Sequence, residues 1–435
     1  MTRQRLLLLA LLALPLVLLA AGCGGGKKKS SGGGNSASNV KGTISMVAVW
    51  TGAEQTNFQA VLNGFKAKYP NVTVNYKSAK DPGQVISTAV AGGNPPDLAA
   101  LPSPGLVKDF QGRGALKPLD FAASAINANY PAAWADVGKI NGKLYGMVFK
   151  GANKSTVWYN VKVFKDAGVT PPKTWDDLIK DAKTIKASGV DAYSIGGSDG
   201  WTLTDLFENI YLRQAGAAKY DQLTQHKIPW TDPSVKTAFK TMAQVIGDTN
   251  NIAGGTTGAL QADFPTSVTQ VFTSPPKAAQ VFEGDFSEAV ITDQTKAQPK
   301  TGFDEYAFPE IGSSGVVVMG GGDIVTMFKD SPASEALVKY LATPEAATIW
   351  AKKGGFSSPN KNVDPSAYPD DITRNIATAM TQAKTFRFDM SDQAPAAFGG
   401  DAEFTGFQKF LKNPSDINGA TAGLEAAAKK AYKSS

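Results

Sequence analysis

The sequence predicts an α/β protein built as two lobes, and three observations lead to this prediction. The chain has 435 residues, which is too long for one typical domain and fits two or three compact units. Strand-like and helix-like segments alternate from Thr43 onward, as in mostly parallel sheets flanked by helices. Two β-type runs, Leu144–Phe149 and Ser155–Tyr159, then cross from a first alternating series to a second. We therefore expect a hinged cleft between two lobes, where small ligands tend to bind.

The composition narrows the classes of function. An apolar content of 42% with 19% charged residues is typical of a globular protein. Five of the 44 basic residues are at the amino terminus, namely Arg3, Arg5 and Lys27–Lys29. The rest of the chain has 39 basic and 38 acidic residues. The folded part is thus nearly neutral, and nucleic acid is not expected as a partner. One Cys and one His nearly exclude thiol, histidine-metal and Ser-His-Asp sites, so we expect no metal and no cofactor.

The amino terminus has the pattern of a secretory signal peptide over residues 1–22. A basic start precedes the apolar run Leu6–Ala21, which is shorter than the ~20 residues that a membrane span needs. Leu19-Ala20-Ala21-Gly22 followed by Cys23 resembles a bacterial lipobox. The resemblance implies cleavage before Cys23 and lipid attachment to its sulfur, whereas a free secreted thiol is the alternative.

Residues 23–41 are expected to form a flexible tether behind the lipid. Gly, Ser, Lys and Asn dominate this stretch, and it has too few apolar residues to form a core. Lys27–Lys29 could contact anionic headgroups or simply be solvated. We expect a globular body that is lipid-anchored at the outer face of a bacterial cell membrane.

The first series has the order of a parallel sheet. The expected strands are Thr43–Trp50, Val72–Tyr76 and Leu98–Leu101, and the expected helices are Glu54–Tyr69 and Gln84–Ala91. Ligands of such sheets bind beyond the carboxyl ends of the strands. The loops that begin at Trp50 and Ser103 are therefore candidate parts of a site.

Several separated motifs of the chain resemble those of one known family. The motifs are Trp50 after an early strand, Phe65–Pro70, Gly92–Asp97, Asn141–Gly146 and Trp158–Asn160. In this order they resemble extracellular solute-binding proteins of family 1, the sugar-binding proteins of bacterial ABC importers.

The resemblance covers roughly residues 43–435 and carries several implications. It implies a periplasmic-binding-protein-like fold, a sugar or oligosaccharide ligand, permease subunits of an ABC importer as partners, and a monomer. Residues 200–209 together with 228–233 look most similar to the α-glucoside-type branch.

The second series continues the alternation and returns to the first lobe. A capping-box-like start at Thr174 precedes a helix, and Lys277–Phe282 is an expected strand. Tyr306–Pro309 resembles a return strand, and a further strand is expected at Val316–Met319. We expect residues 42–150 and 305–355 in the first lobe, and 151–304 and 356–435 in the second.

A sugar site needs aromatic rings for the C–H faces and hydrogen-bonding groups for the hydroxyls. Each aromatic candidate could instead belong to the core, and each polar one could have a local role. Asp285 could stabilise a turn, Glu54 could complement a helix dipole, and Asp205 could be solvated. The aromatic candidates are Trp50, Trp201, Phe286 and Phe356. The polar candidates are Glu54, Ser103, Lys150, Asp205, Asp285 and Asp323.

Two other functions compete with a sugar receptor. A surface hydrolase would need two carboxylates about 5–10 Å apart, which Asp285 with Asp205 or Asp323 could supply. A receptor for a glycerol-phosphate-like anion would need converging cations, and the candidate loops offer Lys150 alone. We therefore expect a neutral sugar and no enzymatic activity.

Overall fold

The computed structural model describes residues 39–433. The expected signal peptide, Cys23 and nearly all of the tether lie outside the described residues. Among the helices that are described, none combines the length and apolarity that crossing a membrane requires.

Strands and helices alternate along the described chain. The strands are β1 Gly42–Ala48, β2 Val72–Ser78, β3 Leu98–Leu101, β4 Lys139–Ile140, β5 Lys143–Leu144, β6 Gly146–Asn153, β7 Thr156–Asn160, β8 Asp191–Ser194, β9 Ala278–Phe282, β10 Phe303–Ala307, β11 Val318–Met327 and β12 Phe386–Phe388. The helices are α1 Gly52–Lys68, α2 Pro82–Ala91, α3 Pro104–Gly112, α4 Ala123–Asn129, α5 Ala132–Ala135, α6 Val161–Ala167, α7 Trp175–Ala187, α8 Trp201–Thr224, α9 Pro233–Ile246, α10 Gly255–Gln261, α11 Phe264–Phe272, α12 Ser287–Gln294, α13 Pro332–Leu341, α14 Pro344–Ala351, α15 Asp371–Gln382, α16 Met390–Gln393, α17 Glu403–Lys412 and α18 Ile417–Lys433.

The strands form two principal sheets, as the sequence predicts for a two-lobe α/β protein. In the first sheet the order is β12-β11-β3-β1-β2, with β6 on the other side of β11. In the second sheet the order is β10-β7-β9-β8. The β1–β2, β1–β3 and β8–β9 pairs are parallel, so loops at the carboxyl ends of both sheets can line a common cleft.

Helix starts follow local signals that the sequence shows. Thr174 accepts a hydrogen bond from the Asp177 backbone N–H, which confirms the expected cap of α7. Asp81 caps α2 in the same way, through the Gln84 N–H. These bonds satisfy backbone donors that the first helical turn leaves free.

Strand β11 differs from the expected Val316–Met319, because it runs through the three glycines to Met327. Gly320–Gly322 pair with Asn153, Ala152 and Gly151 of β6. An added Cβ at Gly320 would lie 2.5 Å from the Ala152 carbonyl oxygen, and one at Gly322 would lie 2.6 Å from a Val148 methyl carbon. The glycines therefore do not end the strand; they let it lie close to β6.

The membership of the strands in the two sheets places the lobe boundaries differently from the expected ones. Strand β10 pairs with β7 in the second sheet, and the chain then returns to the first sheet at β11. After α14 the chain stays with the first lobe for longer than expected, since Val363, Tyr368 and Met380 pack in its core. The short strand β12 is also part of the first sheet.

Three segments thus connect the two lobes. The first joins β6 to β7, the second joins β10 to β11, and the third joins β12 to α16. Beyond the third, α16 begins against α8 of the second lobe, where the Glu208 carboxylate accepts hydrogen bonds from the N–H groups of Met390 and Ser391. Side chains near these three connections can therefore affect the cleft and the hinge together.

Candidate functional site

Three aromatic rings meet at the carboxyl end of the second sheet. Trp201 begins α8, Phe264 begins α11 and Phe286 directly precedes α12. Their ring centroids lie 5.2 to 5.8 Å apart, and all three side chains are half-buried. This aromatic triad offers ring surface at a place where the core does not fully cover it, as a stacking site for a sugar requires.

Carboxyl groups with free acceptor oxygens belong to the same end of the sheet. Glu283 and Asp285 follow β9, and Asp205 lies one turn into α8. Each residue is no more than 3% exposed, yet Asp205 Oδ2, Glu283 Oε2 and Asp285 Oδ1 have no hydrogen-bond partner. Burial raises the pKa of Asp205 and Glu283 well above the ordinary range. These orphan oxygens are sealed from solvent in this structure, so a solute could contact them only after the two lobes open.

Lys150 of β6 holds a first ionic cluster. Its Nζ lies 3.0 Å from Glu54 Oε1, 3.9 Å from Asp323 Oδ2 and 5.3 Å from the centroid of the Phe286 ring. Burial alone would lower the pKa of Lys150, but the surrounding carboxylates raise it. Burial and Glu54 raise the pKa of Asp323 to about 6, although Lys150 opposes the shift. This Lys150 cluster connects the first lobe to an aromatic ring of the second.

Lys154 holds a second cluster, four residues further along the chain. Its Nζ lies 3.1 Å from Asp205 Oδ1 and 3.7 Å from Asp392 Oδ2, and it also pairs with Asp389. The same ammonium lies 5.8 Å from the centroid of the Trp201 ring. Burial raises the pKa of Asp392, and Asp389 raises it further. Within this Lys154 cluster the Asp392 side chain keeps 20% of its surface exposed, against 4% for Asp205 and 0% for Asp389.

The segment between the two lysines is tied to both sheets. Asp285 accepts a hydrogen bond from the Asn153 N–H at 3.1 Å and donates its own N–H to the Asn153 carbonyl. The Ser155 hydroxyl donates to Asn209 Oδ1 at 2.6 Å and accepts from the Met319 N–H at 2.8 Å. One oxygen of Asp285 thus fixes the crossing strand and only the other remains free.

Two of the expected stacking rings lie in the core of the first lobe instead. Trp50 and Phe356 are each 0% exposed. The Trp50 ring centroid lies 5.1 Å from that of Trp350, and Trp50 donates its Nε1–H to Asp323 Oδ2 at 2.6 Å. Phe356 stacks on Trp350 with ring centroids 5.1 Å apart. Helix α14 brings Trp350 over the end of β1, so neither expected ring leaves a face for a solute.

The remaining expected residues divide into two groups. The structure brings Glu54, Lys150, Trp201, Asp205, Asp285, Phe286 and Asp323 into the two connected clusters. Ser103 caps α3 by accepting from the Leu106 N–H at 3.2 Å, so its hydroxyl already has a structural role.

Sequence reasoning did not find four residues of this site, namely Lys154, Phe264, Asp389 and Asp392. Lys154 lies four residues after Lys150 in the same crossing segment, and this spacing was the signal that could have identified it. Phe264 is the first residue of α11, as Trp201 is of α8, and this shared position was a signal for it. Over residues 39–433, no group of His, Cys, Asp and Glu side chains is arranged to hold a metal ion.

The chain is similar to known solute-binding proteins over most of its length. Residues 50–348 match the family described as bacterial extracellular solute-binding protein. The osmoprotective compounds-binding protein GgtB of Synechocystis is 31% identical over 378 residues, covering 85% of this chain and 88% of that one. The alpha-glucosides-binding periplasmic protein AglE of Rhizobium meliloti is 31% identical over 405 residues, covering 89% and 88%.

Solved structures share the fold at lower sequence identity. The bacterial solute receptor AcbH, described as preferring b-D-galactopyranose, matches with a TM-score of 0.80 at 20% identity, over 90% of this chain and 100% of that one. The GacH receptor of Streptomyces glaucescens, studied with acarbose, matches with a TM-score of 0.73 at 18% identity, over 91% and 99%. These likenesses show the two-lobe architecture.

Proposed function

The chain belongs to the bacterial extracellular solute-binding protein family, and from this premise we propose that it captures a sugar for an ABC importer. The aromatic triad beside the orphan carboxyl oxygens carries the proposal. Rings contact the apolar faces of a sugar, and carboxyl oxygens accept hydrogen bonds from its hydroxyls. The names of the two relatives point to α-glucosides or osmoprotective solutes of similar polarity as the first ligands to test.

The charges of the cleft support a neutral solute over a phosphorylated one. Both lysines already have carboxylate partners: Glu54 and Asp323 for Lys150, and three aspartates for Lys154. An anionic ligand would have to displace those pairs and approach the remaining carboxylates. A glycerol-phosphate-like solute therefore fits this cleft poorly.

A calorimetric panel tests the proposal. We expect one or more of the α-glucosides maltose, trehalose and sucrose to bind saturably and to be recovered from the calorimeter cell without chemical change. Trp201→Ala should weaken that binding, and Phe121→Ala serves as the control because Phe121 is a half-buried ring distant in sequence that packs under Lys339. Absence of binding to every sugar, or release of cleaved products, would contradict the receptor function and favour the hydrolase.

Closure of the cleft would give the importer its signal that the receptor is loaded. Charged groups of the first lobe face the aromatic triad of the second, and a solute that contacts both favours the closed form. We expect a smaller radius of gyration in small-angle scattering when the cognate sugar is added. Trp201 should be the fluorescent reporter, since Trp50 is already buried. Identical scattering curves with and without bound sugar would mean a rigid cleft.

The membrane attachment is proposed to reside in Cys23. The lipobox-like sequence before it and the polar tether after it are the basis. Cys23→Ser should release the protein from the cell surface to the medium and leave sugar binding intact. Retention of the Cys23→Ser protein at the membrane would contradict lipid anchoring without affecting the assignment of the ligand.

A further inference from the structure

Helix α8 is held in the second lobe through its apolar side. The ring centroid of Phe207 lies 5.0 Å from that of Phe239 and 5.0 Å from that of Phe407. Leu203 and Ile210 belong to the same core and are each 0% exposed. Interiors packed in this way move as one body, so the first turns of α8 are a rigid part of the second lobe.

The opposite side of these turns is polar and equally buried. Asp205, Glu208, Asn209 and Arg213 are no more than 6% exposed. Spacings of three and four residues place side chains on one face of a helix, so these four point in similar directions. Buried polar groups need hydrogen-bond partners, and this face finds many of its partners in the three connections between the lobes.

Asn209 bonds to the first connection, the residues between β6 and β7. Its Oδ1 accepts from the Ser155 hydroxyl at 2.6 Å, and its Nδ2 donates to the Lys154 carbonyl at 2.9 Å. The Ser155 hydroxyl also accepts from the Met319 N–H at 2.8 Å, which ties the start of β11 to the same point. Asp205, one turn earlier, contacts Lys154 Nζ at 3.1 Å. The first connection is therefore bonded to α8 through both its backbone and its side chains.

Arg213 bonds to the second connection at both of its ends. Its Nη2 donates to the carbonyl of Phe308, which follows β10, at 3.3 Å and to the carbonyl of Val317, which precedes β11, at 2.9 Å. Its Nη1 donates to Asn209 Oδ1 at 3.0 Å and to the Asn209 carbonyl at 3.2 Å. All four acceptors are uncharged, and burying a cation among uncharged groups is costly. This cost indicates a positional role for the guanidinium.

Glu208 bonds to the third connection. Its carboxylate accepts hydrogen bonds from the N–H groups of Met390 and Ser391, the first residues of α16. The Tyr220 hydroxyl, further along α8, contacts Glu208 and lies 3.2 Å from the carbonyl oxygen of Phe388, the last residue of β12. All three connections are therefore bonded to one helix of the second lobe.

We propose that α8 couples sugar binding to closure of the cleft, with Asn209 and Arg213 as positioning residues that make the connections between the lobes bend together. The inference rests on the proposed function as a sugar receptor and identifies the element that transmits binding to the hinge. The solute contacts Trp201 at the start of α8, and the polar face about two to three turns later fixes the connections. A tilt of α8 against the first lobe therefore moves all three at once. Such an element supplies the physical link that coupling between a site and a hinge requires.

X-ray scattering with a bound sugar tests the coupling in the full-length protein. The probe is the sugar among maltose, trehalose and sucrose that binds most tightly to the wild type. Arg213→Met removes the guanidinium and keeps an apolar stem, and Asn209→Leu removes the amide at nearly constant volume. Sugar should still change the fluorescence of Trp201 in both variants, because neither substitution touches the solute. The compaction at saturating sugar should be lost, and affinity should fall about tenfold, within the usual range for coupled sites.

Gln214→Met is the matched control on the same helix. Gln214 follows Arg213, and its Nε2 donates to Thr241 Oγ1 of α9 at 2.8 Å, a bond within the second lobe. This variant should lose the stability of one hydrogen bond and keep the full compaction. Thermal unfolding shows which variants are folded. If Arg213→Met does not fold, Arg213→Lys keeps the charge without the guanidinium fork that reaches both carbonyls, and the same loss of compaction is expected.

The outcomes separate the inference from the receptor function. Undiminished compaction in the folded Arg213 and Asn209 variants would overturn the inference and leave the receptor function standing. An equal loss of compaction in Gln214→Met would mean that any loosening of α8 has this effect, and would overturn the assignment to Asn209 and Arg213. Sugar binding without compaction of the wild type would overturn the inference as well. If no sugar binds, the receptor function is contradicted and the inference falls with it.

Discussion

The Lys150 and Lys154 clusters use the same chemistry for different tasks. Both lysines lie in one crossing segment, and each faces several carboxyl groups over an aromatic ring. The carboxylates nearest to Lys150 come from α1 and β11 of the first lobe, while the second lobe contributes the Phe286 ring and the more distant Asp285. The partners of Lys154 come from α8 and from the start of α16, beyond the third connection. The two clusters therefore contain the same types of residue and differ in which lobe supplies the carboxylates.

From this difference we expect the Lys150 cluster to form and break as the cleft closes and opens. We expect the Lys154 cluster to stabilise the folded structure around the hinge. Glu54 and Asp323 keep 26% and 15% of their side-chain surface exposed, whereas Asp205 and Asp389 keep 4% and 0%. Water can therefore replace Lys150 more readily than it can replace Lys154. The predictions below test this contrast.

The largest expected effect is on stability. Lys154→Met removes the cation from among three carboxylates and should lower the free energy of unfolding by about 3–5 kcal/mol. Lys150→Met should cost about half as much, because Glu54 is partly solvated. Urea denaturation of both variants at one pH measures the two losses. Equal losses in the two variants would remove the distinction between the clusters.

The second prediction uses pH. The pKa of Asp323 is about 6 in the folded protein against an ordinary 3.8, so the folded state holds this proton more tightly. The resulting stabilisation is fully present below pH 4 and is lost as pH rises through 6. Asp323→Asn stays neutral, and wild type should lose about 3 kcal/mol of unfolding free energy relative to this variant between pH 4 and 7.

Asp389 in the Lys154 cluster provides the opposite slope as a control. Lys154 and hydrogen bonds hold its pKa below the ordinary value against the effect of burial. Its stabilisation is present above the ordinary pKa and is lost as pH falls below it. Parallel pH profiles for Asp323→Asn and Asp389→Asn, each relative to wild type, would show that the two clusters do not differ electrostatically.

The third prediction concerns affinity. Trp201→Ala should weaken binding of the cognate sugar by about 1–3 kcal/mol, the effect of losing one buried anchor, with little change in stability. Trp50→Ala should instead lower the unfolding free energy by about 3–5 kcal/mol, because it opens a cavity beside Trp350. Calorimetry and thermal unfolding of both variants make the comparison. A large loss of stability with normal affinity for Trp201→Ala would place that ring in the core.

The smallest effect is expected at the rim of the cleft. Lys80, after β2, lies 3.9 Å from Asp263, before α11, and its side chain is 85% exposed. Such solvated pairs contribute little, so Lys80→Ala should change sugar affinity by about twofold or less. A tenfold change would mean that closure depends on the rim more than on the two lysine clusters.

Local sequence patterns predicted the two-lobe α/β fold and the aromatic loops after the strands, because both depend on near neighbours. Strand β3 has the expected bounds, and Trp201 and Phe286 follow strand ends that are readable from sequence. The Lys154 cluster could not be predicted in this way, since Asp389 lies 235 positions from its lysine. The burial of Trp50 escaped prediction for the same reason: the ring that covers it, Trp350, belongs to a helix 300 positions later.

The path of β11 has a consequence for how the protein is made. This strand lies between β6 on one side and β3 and β12 on the other, yet it comes from residues 318–327. During synthesis from the amino terminus, β1, β2, β3 and β6 emerge long before the strand that joins β3 to β6. Strand β3 therefore cannot be joined to β6 until about three quarters of the chain exists, and β12 follows later still. Such long-range pairings favour slow folding. During most of its translation, the first lobe of the nascent chain therefore lacks the strand that joins its sheet.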